Sequence, residues 1–340
     1  MTRVRLTHKI PPAFSLDVDF EVNGVTALFG PAGAGKTLIL ESVAGFVRPD
    51  SGRILRDDVL LFDAEARVHI PPRRRACAYL PARDSLVPHM TVRQNLAFVA
   101  GGARLERHRR VAEISEKFGL AELAPRRPVE LDAAQRTRVA VARLLLAGPR
   151  LLLLDELDFT DALFPQIRAE FAGPILLATR NLDRCAAWAD QILVIENGRI
   201  LRRGTPRQVL DEPESVEVAR LLGIPNLFEC TIAGLDPGRN SSRLEAVQFQ
   251  LTGPYLPGHF KGDRVWIAIR PGHVRVHPAG TAPIANGVRA KLVRVSQRAA
   301  AVRLEFAGGI FADVPPEEFA RQKDNKDWQI ELPSDALRVL

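Results

Sequence analysis

The sequence predicts a mixed α/β domain followed by a smaller all-β domain, and three stretches carry that prediction. The first is Gly30–Thr37, a glycine-rich motif between a short apolar run and a run that can form a helix. The second is Leu151–Glu156, four leucines closed by two carboxylates, which suits a buried parallel strand. The third is the region from residue 223 onward, where short strand-like runs separated by turns are typical of a β-barrel.

The composition is that of a folded protein with room for two domains. The chain has 340 residues, of which 46% are hydrophobic and 26% charged, and these are ordinary globular values. The formal net charge is +7. Because the arginines are spread along the chain and aromatic side chains do not alternate with them, we do not expect nucleic-acid binding.

Cysteine usage and hydropathy favour the cytoplasm. Cys77, Cys185 and Cys230 are far apart and lack metal-ligand spacing, so we expect neither a disulfide framework nor a zinc site. No apolar run reaches about 18 residues, and the first residues lack the hydrophobic segment of a signal peptide. We therefore expect any membrane role to depend on a partner.

The residues up to Val22 alternate loosely with period 2, which predicts antiparallel strands leading to the strand before Gly30. Phe14 lies on one of these strands. Its ring can either face a nucleotide base or fill the core, and the sequence leaves both interpretations open.

Gly30–Thr37 has the pattern G-x-x-x-x-G-K-T of a phosphate-binding loop. Its glycines let backbone N–H groups surround phosphate oxygens, and the helix that follows favours negative charge at its N-terminus. Lys36 can reach the β- and γ-phosphates, and the Thr37 hydroxyl can hold Mg²⁺. The alternative, a glycine- and alanine-rich turn with an incidental lysine, fits the strand–loop–helix context less well. The residues predicted to bind ATP are Phe14, Gly30, Pro31, Ala32, Gly33, Ala34, Gly35, Lys36, Thr37 and Leu38.

Three further segments give the domain a family resemblance. Pro49–Ile54, Pro71–Arg75 and Leu86–Leu96 follow the loop in an order that resembles the ATP-binding subunit of an ABC transporter, most of all the molybdate-importer branch. The resemblance covers roughly residues 1–222 and implies an ABC-type nucleotide-binding domain with a helical subdomain at about 95–148.

Within this resemblance, Leu151–Glu156 looks like a Walker B motif. It implies that Asp155, with Thr37, supports Mg²⁺ and that Glu156 is the catalytic residue that polarises the attacking water. The alternative is a core strand whose acids only open the next loop. The family also implies a membrane permease as partner, a homodimer or a paired nucleotide-binding subunit, and a peripheral position at the inner face of the cell membrane.

Residues 223–340 resemble the TOBE-like domain, an OB-like barrel appended to many importer ATPases. Gly223–Asn226 is the predicted linker, and Ala268–Pro271 is the clearest mark of the resemblance. We expect short strands with turns over residues 265–272, 287–295, 301–306 and 332–340. An oxyanion ligand in this domain and a barrel that only stabilises a dimer both remain open.

The segment that aligns with the family's signature loop departs from its pattern. Leu131–Gln135 carries Asp132, Ala133 and Ala134 where relatives have a serine and two glycines. We expect the two Cβ atoms to crowd the approach to the γ-phosphate, and Asp132 to bring a carboxylate towards an anion.

Three departures lie nearer the chain's own nucleotide. Ala82 stands where the family has a glutamine, and Arg180 stands where it has a histidine, so a permanently charged group replaces an imidazole. The interval between Glu156 and Arg180 is short, and Leu157–Asp161 does not spell the family's turn. We predict that a helix is trimmed there.

The sequence thus predicts the ATP-binding subunit of an ABC importer that couples ATP hydrolysis to oxyanion uptake, with hydrolysis impaired. An ATP-binding regulatory protein on the same scaffold, with little or no turnover, is the alternative. A third interpretation, an oxyanion store or sensor built on the C-terminal barrel, has the least support.

Overall fold

The structure is a computed structural model that describes residues 1–82, 85–156, 162–278, 284–298, 300–322, 325 and 327–340. It divides into two compact units, Met1–Val209 and Leu210–Leu340. The domain boundary that the sequence predicts, between residues 222 and 223, stays a prediction.

The first unit is built on a mixed sheet of eleven strands within the described residues. Its strands are β1 Thr2–Ile10, β2 Phe14–Val22, β3 Val25–Phe29, β4 Ser51–Arg56, β5 Val59–Asp63, β6 Val68–His69, β7 Cys77–Leu80, β8 Leu151–Asp155, β9 Ile175–Thr179, β10 Gln191–Glu196 and β11 Arg199–Gly204. Their order across the sheet is β6-β5-β4-β1-β2-β11-β10-β3-β9-β8-β7.

The antiparallel and parallel parts of this sheet differ in how their strands are buried. β1 and β2 pair antiparallel, with Val4 opposite Phe20 and Leu6 opposite Val18, and these four side chains are buried while their neighbours along the strands face solvent. Such alternation is typical of a sheet with one solvated face. By contrast, every residue of β3, β8 and β9 is buried, as expected for parallel strands covered on both faces. The predicted antiparallel entry and parallel centre are both confirmed.

The helices of this unit cover the sheet and form the helical region after it. They are α1 Lys36–Ala44, α2 Val92–Val99, α3 Arg104–Lys117, α4 Ala133–Leu146, α5 Leu163–Glu170, α6 Leu182–Trp188 and α7 Pro206–Asp211. The predicted helical stretch corresponds to α2, α3 and α4, and α2 begins three residues earlier, because Thr91 caps it by accepting from the backbone N–H of Gln94 at 3.3 Å. A helix, α5, is present between Glu156 and Arg180, so the prediction of a trimmed helix is wrong. The segment 157–161, which departs from the family's turn, lies outside the described residues.

A fully buried arginine anchors the end of α1. Arg75 donates to the carbonyl oxygens of Ser42 at 2.8 Å and Val43 at 2.9 Å, which belong to the last turn of the helix. It also donates to the Ile70 carbonyl at 2.6 Å. Because the last carbonyls of a helix have no partners within the helix, a buried cation here satisfies and stabilises them. Burial lowers the pKa of Arg75.

The second unit is all-β apart from two short helices. Its described elements are α8 Val216–Leu221, β12 Asn226–Asp236, β13 Ser241–Ala246, β14 Gln250–Pro254, β15 Arg264–Ile269, β16 Arg275–Pro278, β17 Gly287–Gln297, β18 Val302–Phe306, β19 Ile310–Val314, α9 Pro316–Gln322, β20 Asp327–Glu331 and β21 Arg338–Val339. They form two five-stranded sheets, β14-β13-β12-β15-β21 and β16-β20-β17-β18-β19. Both sheets contribute to one apolar core that includes Ile267, Phe306 and Trp328, which agrees with the predicted TOBE-like, OB-like domain.

Two local predictions for this unit need correction. Asn226 is not linker: it opens β12, is fully buried, and exchanges two hydrogen bonds with the backbone of Phe311, at 2.8 and 2.7 Å. The predicted final strand from Leu332 is also wrong for most of its length. The strand is β20, which ends at Glu331, because Pro333 has no N–H to continue a ladder. Only Arg338–Val339 pairs in the predicted stretch.

No helix among the residues that the structure describes has both the length and the apolar character needed to cross a membrane.

Candidate nucleotide-binding site

The glycine-rich loop leaves the carboxyl end of β3, the strand that lies between β10 and β9 in the sheet. β8 is next in the same order, and it also runs parallel to β9. The loop, Asp155 at the end of β8 and Arg180 just after β9 are therefore brought to one edge of the sheet. Open α/β sheets bind ligands at this edge.

Close packing beneath the loop explains two of its glycines. A Cβ on Gly30 would overlap the carbonyl oxygen of Ile195 in β10. Gly35 has a φ of 101°, and a Cβ there would lie 2.9 Å from Cζ of Phe14. The loop is further held by the N–H of Gly198, which donates to the Ala34 carbonyl at 3.1 Å. These contacts fix the loop's backbone in advance of any ligand.

Lys36 folds back across the loop that precedes it. Its Nζ donates to the carbonyl oxygens of Gly30 at 2.7 Å and Pro31 at 2.8 Å, and it lies 3.1 Å from Oε1 of Glu156. The side chain is only 4% exposed. A buried ammonium held over the loop's concave side is placed to bind a phosphate.

Asp155 has the features of a metal-binding carboxylate. Its Oδ2 accepts from the Tyr79 hydroxyl at 3.2 Å, while Oδ1 is buried and has no hydrogen-bond partner among the described residues. Burial raises the pKa of this carboxyl above its usual range, and the hydroxyls of Thr37 and Tyr79 act against that shift. An unpaired buried carboxylate oxygen near a hydroxyl fits Mg²⁺, which binds to one or two protein groups and to phosphate oxygens. The described residues contain no group of three or more His, Cys, Asp or Glu that could hold a metal without a ligand's help.

Glu156 is held in an uncommon conformation between two cations. Its φ is 41°, in the left-handed region, and its N–H donates to the Ala178 carbonyl at 2.9 Å. For a residue other than glycine this conformation is costly, and it is often found at functional sites. Its carboxylate lies between Lys36 and Arg180, with Oε2 at 2.8 Å from Nε of Arg180.

A groove of about 370 Å³ runs along the loop and collects most of the predicted residues. Leu38 lies at its side, and Phe14 both lines it and packs partly against the core. A contact between this ring and a nucleotide base stays a prediction. The other three predicted residues do not line the groove: Gly30 is buried at the start of the loop, and Pro31 and Ala32 are exposed. The lining is Ile10, Phe14, Gly33, Ala34, Gly35, Lys36, Thr37, Leu38, Glu41 and Glu156.

Sequence reasoning missed three residues of this site. Ile10 and Glu41 line the groove, and the pKa of Glu41 is raised by burial and by the charge of Asp155. Tyr79 contacts Asp155 and lies 5.8 Å from the ring of Phe46. A tyrosine near the end of a strand next to the acidic one is a usable signal, because the register places Tyr79 opposite Leu153; Ile10 and Glu41 carry no comparable signal.

The departures from the family pattern occupy different settings. Asp132 caps α4: its Oδ1 accepts from the N–H of Gln135 at 2.7 Å, and the Gln135 side chain accepts from the Asp132 N–H at 3.1 Å. Ala133 and Ala134 are exposed in the first turn of that helix. Ala82 is exposed two residues after β7. Arg180 differs from these because it contacts the site directly, through Glu156.

Comparison with known proteins agrees with the fold. The ABC transporter family model matches residues 14–158. A molybdate/tungstate import ATP-binding protein of Archaeoglobus fulgidus is 40% identical over 226 residues, which are 63% of this chain and 91% of that protein. A spermidine/putrescine import ATP-binding protein of Nitrosospira multiformis is 33% identical over 291 residues, which are 82% of this chain and 78% of that protein.

A solved structure of an ATP-binding subunit of an ABC transporter superposes with a TM-score of 0.54 at 25% identity, and covers 62% of this chain and 91% of that one. The phosphate-binding loop, the acidic strand end and the 40% identity over 91% of the Archaeoglobus relative lead to one conclusion. This chain belongs to the ATP-binding proteins of ABC transporters.

Proposed function

We propose that this chain binds Mg-ATP as the ATP-binding subunit of an ABC importer of the molybdate type, coupling ATP binding and hydrolysis to oxyanion uptake through a membrane permease. The observation that carries the proposal is the convergence of Lys36, Thr37, Asp155 and Glu156 at one edge of the sheet. The substrate class rests on the Archaeoglobus relative, which is named for molybdate and tungstate import.

Each residue has a distinct part in this proposal. The loop's N–H groups and Lys36 bind the phosphates, and Thr37 and Asp155 hold Mg²⁺. When bound there, Mg²⁺ would offset part of the negative charge of the phosphates. Glu156 accepts a proton from, or orients, the attacking water, which requires its carboxylate to be available. Leu38 and Phe14 border the groove and limit solvent access to the nucleotide.

We infer that hydrolysis is slow compared with that of importer ATPases with the complete motif set. Two observations support this. Ala82 offers only a methyl group where an amide would contact water or metal, and both carboxylate oxygens of Glu156 lie beside cations. The same pairing of Glu156 supports a second candidate, an ATP-binding regulatory protein with little or no turnover.

The proposed setting of the protein follows from the family. It would act at the cytoplasmic face of the cell membrane as a homodimer, or as one of two nucleotide-binding subunits, on a permease. An oxyanion in the C-terminal domain is a further proposal, and molybdate or tungstate titration of the full chain by calorimetry tests it.

Paired measurements of ATP affinity and steady-state phosphate release discriminate the two functions. We expect Mg-ATP binding that Lys36→Ala abolishes, and slow phosphate release that Glu156→Gln abolishes. Copurification of a tagged chain with a permease in mild detergent supports the importer. Binding without turnover and without a permease supports the regulatory protein, and a normal importer rate in the wild type contradicts slow hydrolysis.

A further inference from the structure

Lys36 has no spare donor for a phosphate in the arrangement described above. An ammonium has three N–H donors, and Nζ of Lys36 has three oxygen neighbours, at 2.7, 2.8 and 3.1 Å. Two of these are loop carbonyls that the backbone fixes, whereas the third is the side chain of Glu156. A phosphate that binds Lys36 therefore competes with Glu156, and the two anions also repel each other.

Arg180 contacts the same carboxylate from the other side. Its Nε lies 2.8 Å from Oε2 of Glu156, and its side chain is 61% exposed towards a groove of about 470 Å³ lined by residues 179–184 and Glu156. A guanidinium has five donors in a rigid plane and keeps its charge. It can thus hold the carboxylate alone once Lys36 is taken by a phosphate.

We propose that Arg180 is a positioning residue that retains Glu156 when a nucleotide phosphate occupies Lys36. The inference rests on the proposed function, since it concerns the same site. It assigns Arg180 no direct contact with the phosphate: Arg180 raises nucleotide affinity by drawing a competing carboxylate away from Lys36. The effect must then pass entirely through Glu156.

A double-mutant cycle measures this dependence. The variants are Arg180→Ala, Glu156→Gln and the pair combined, and the readout is the Kd of the β,γ-imido analogue of ATP with Mg²⁺, which is not hydrolysed. We expect Arg180→Ala to weaken binding about 3- to 10-fold in the wild-type background, a modest effect because the pair is partly exposed. In the Glu156→Gln background the same change should alter Kd less than about 2-fold.

Three further measurements separate the proposal from a general loss of charge or structure. Arg180→Lys should keep most of the affinity, because it keeps the charge near Glu156. Arg184→Ala removes an equal charge from the same groove, where its guanidinium lies over the Trp188 ring, and should change Kd less than about 2-fold. Raising the ionic strength should shrink the Arg180→Ala effect. Thermal unfolding of each variant checks that it is folded.

Two outcomes overturn the proposal. An equal loss of affinity in both backgrounds would mean that Arg180 contacts the phosphate itself, and unchanged affinity in the wild-type background would mean that Arg180 has no part in binding. Failure of the wild-type chain to bind the analogue at all is a different result, because it refutes the proposed function and the inference with it.

Discussion

Replacing Gly30 by alanine should destabilise the protein before any ligand is bound. The added Cβ would overlap the backbone carbonyl oxygen of Ile195 in β10 and lie 3.1 Å from its carbonyl carbon. Neither partner can rotate away, since one is a sheet strand and the other starts the loop, so the loop must shift by roughly 1 Å to restore van der Waals contact. Overpacking of this kind costs about 1–3 kcal/mol.

Gly33 provides the matched control within the same loop. It has a φ of 79°, and no atom lies within 4 Å of a Cβ built on it. Alanine there costs about 1–2 kcal/mol for the left-handed backbone. The stiffer unfolded chain offsets about 0.4–1 kcal/mol in both variants, so it cancels from their difference. Gly33→Ala should thus lose about 0.5–1 kcal/mol less stability than Gly30→Ala. Because Gly33 lines the groove, its methyl should weaken ATP binding more than it weakens the fold.

Urea unfolding of both ligand-free variants, with ATP titration of each, measures the two effects separately. The two variants should rank in opposite order. Gly30→Ala should lower the free energy of unfolding more, and Gly33→Ala should weaken ATP affinity more for each kcal/mol of stability that it loses. Equal destabilisation by the two variants would show that the clash with Ile195 does not set the requirement for Gly30.

Two further predictions concern carboxylates. Burial raises the pKa of Asp155, so the folded state favours its protonated form; this contribution to stability is complete below the unfolded pKa of about 4 and is lost as pH rises through the folded pKa. Asp155→Asn should therefore raise the unfolding temperature of the ligand-free protein at pH 7.5 and give no gain at pH 4. An equal gain at both pH values would contradict this. Asp132→Ala should lower the free energy of unfolding by about 1 kcal/mol, because it removes the cap on the Gln135 N–H, whereas Asp132→Ser should lower it little because serine also caps. Urea unfolding measures both variants, and equal losses would refute the prediction.

The sequence was sufficient to predict the sheet's centre and the loop. β3, β8 and β9 are short apolar runs with turn signals on either side, and their parallel pairing follows from the strand–loop–helix pattern. Gly30–Thr37 carries its own geometry, because a phosphate-binding loop is defined by residues close together in sequence. The predicted acidic strand, Leu151–Glu156, is accordingly observed as Leu151–Asp155, one residue shorter.

The prediction was weakest where partners are distant in sequence. Arg75 ends a run of three arginines, a pattern that ordinarily indicates a solvated surface. It is nevertheless buried against the end of α1, where it donates to carbonyls of the last turn from 32 and 33 residues away. Asn226 reads as linker for the same reason, since its partner Phe311 lies 85 residues away. β20 was missed because its register depends on two neighbours, β16 and β17, that no local pattern identifies.

The positions at which this chain differs from the family pattern also have different structural roles. Asp132 has the capping function that a serine can also have, and α4 begins directly after it. Ala82 carries only a methyl group where the family has an amide, and the hydroxyls near Asp155 are those of Tyr79 and Thr37. Arg180 gains a contact, to the residue proposed as the water-polarising group. Slow hydrolysis, if measured, should therefore be traced first to positions 82 and 180, where glutamine and histidine substitutions restore the family's groups without disturbing the cap on α4.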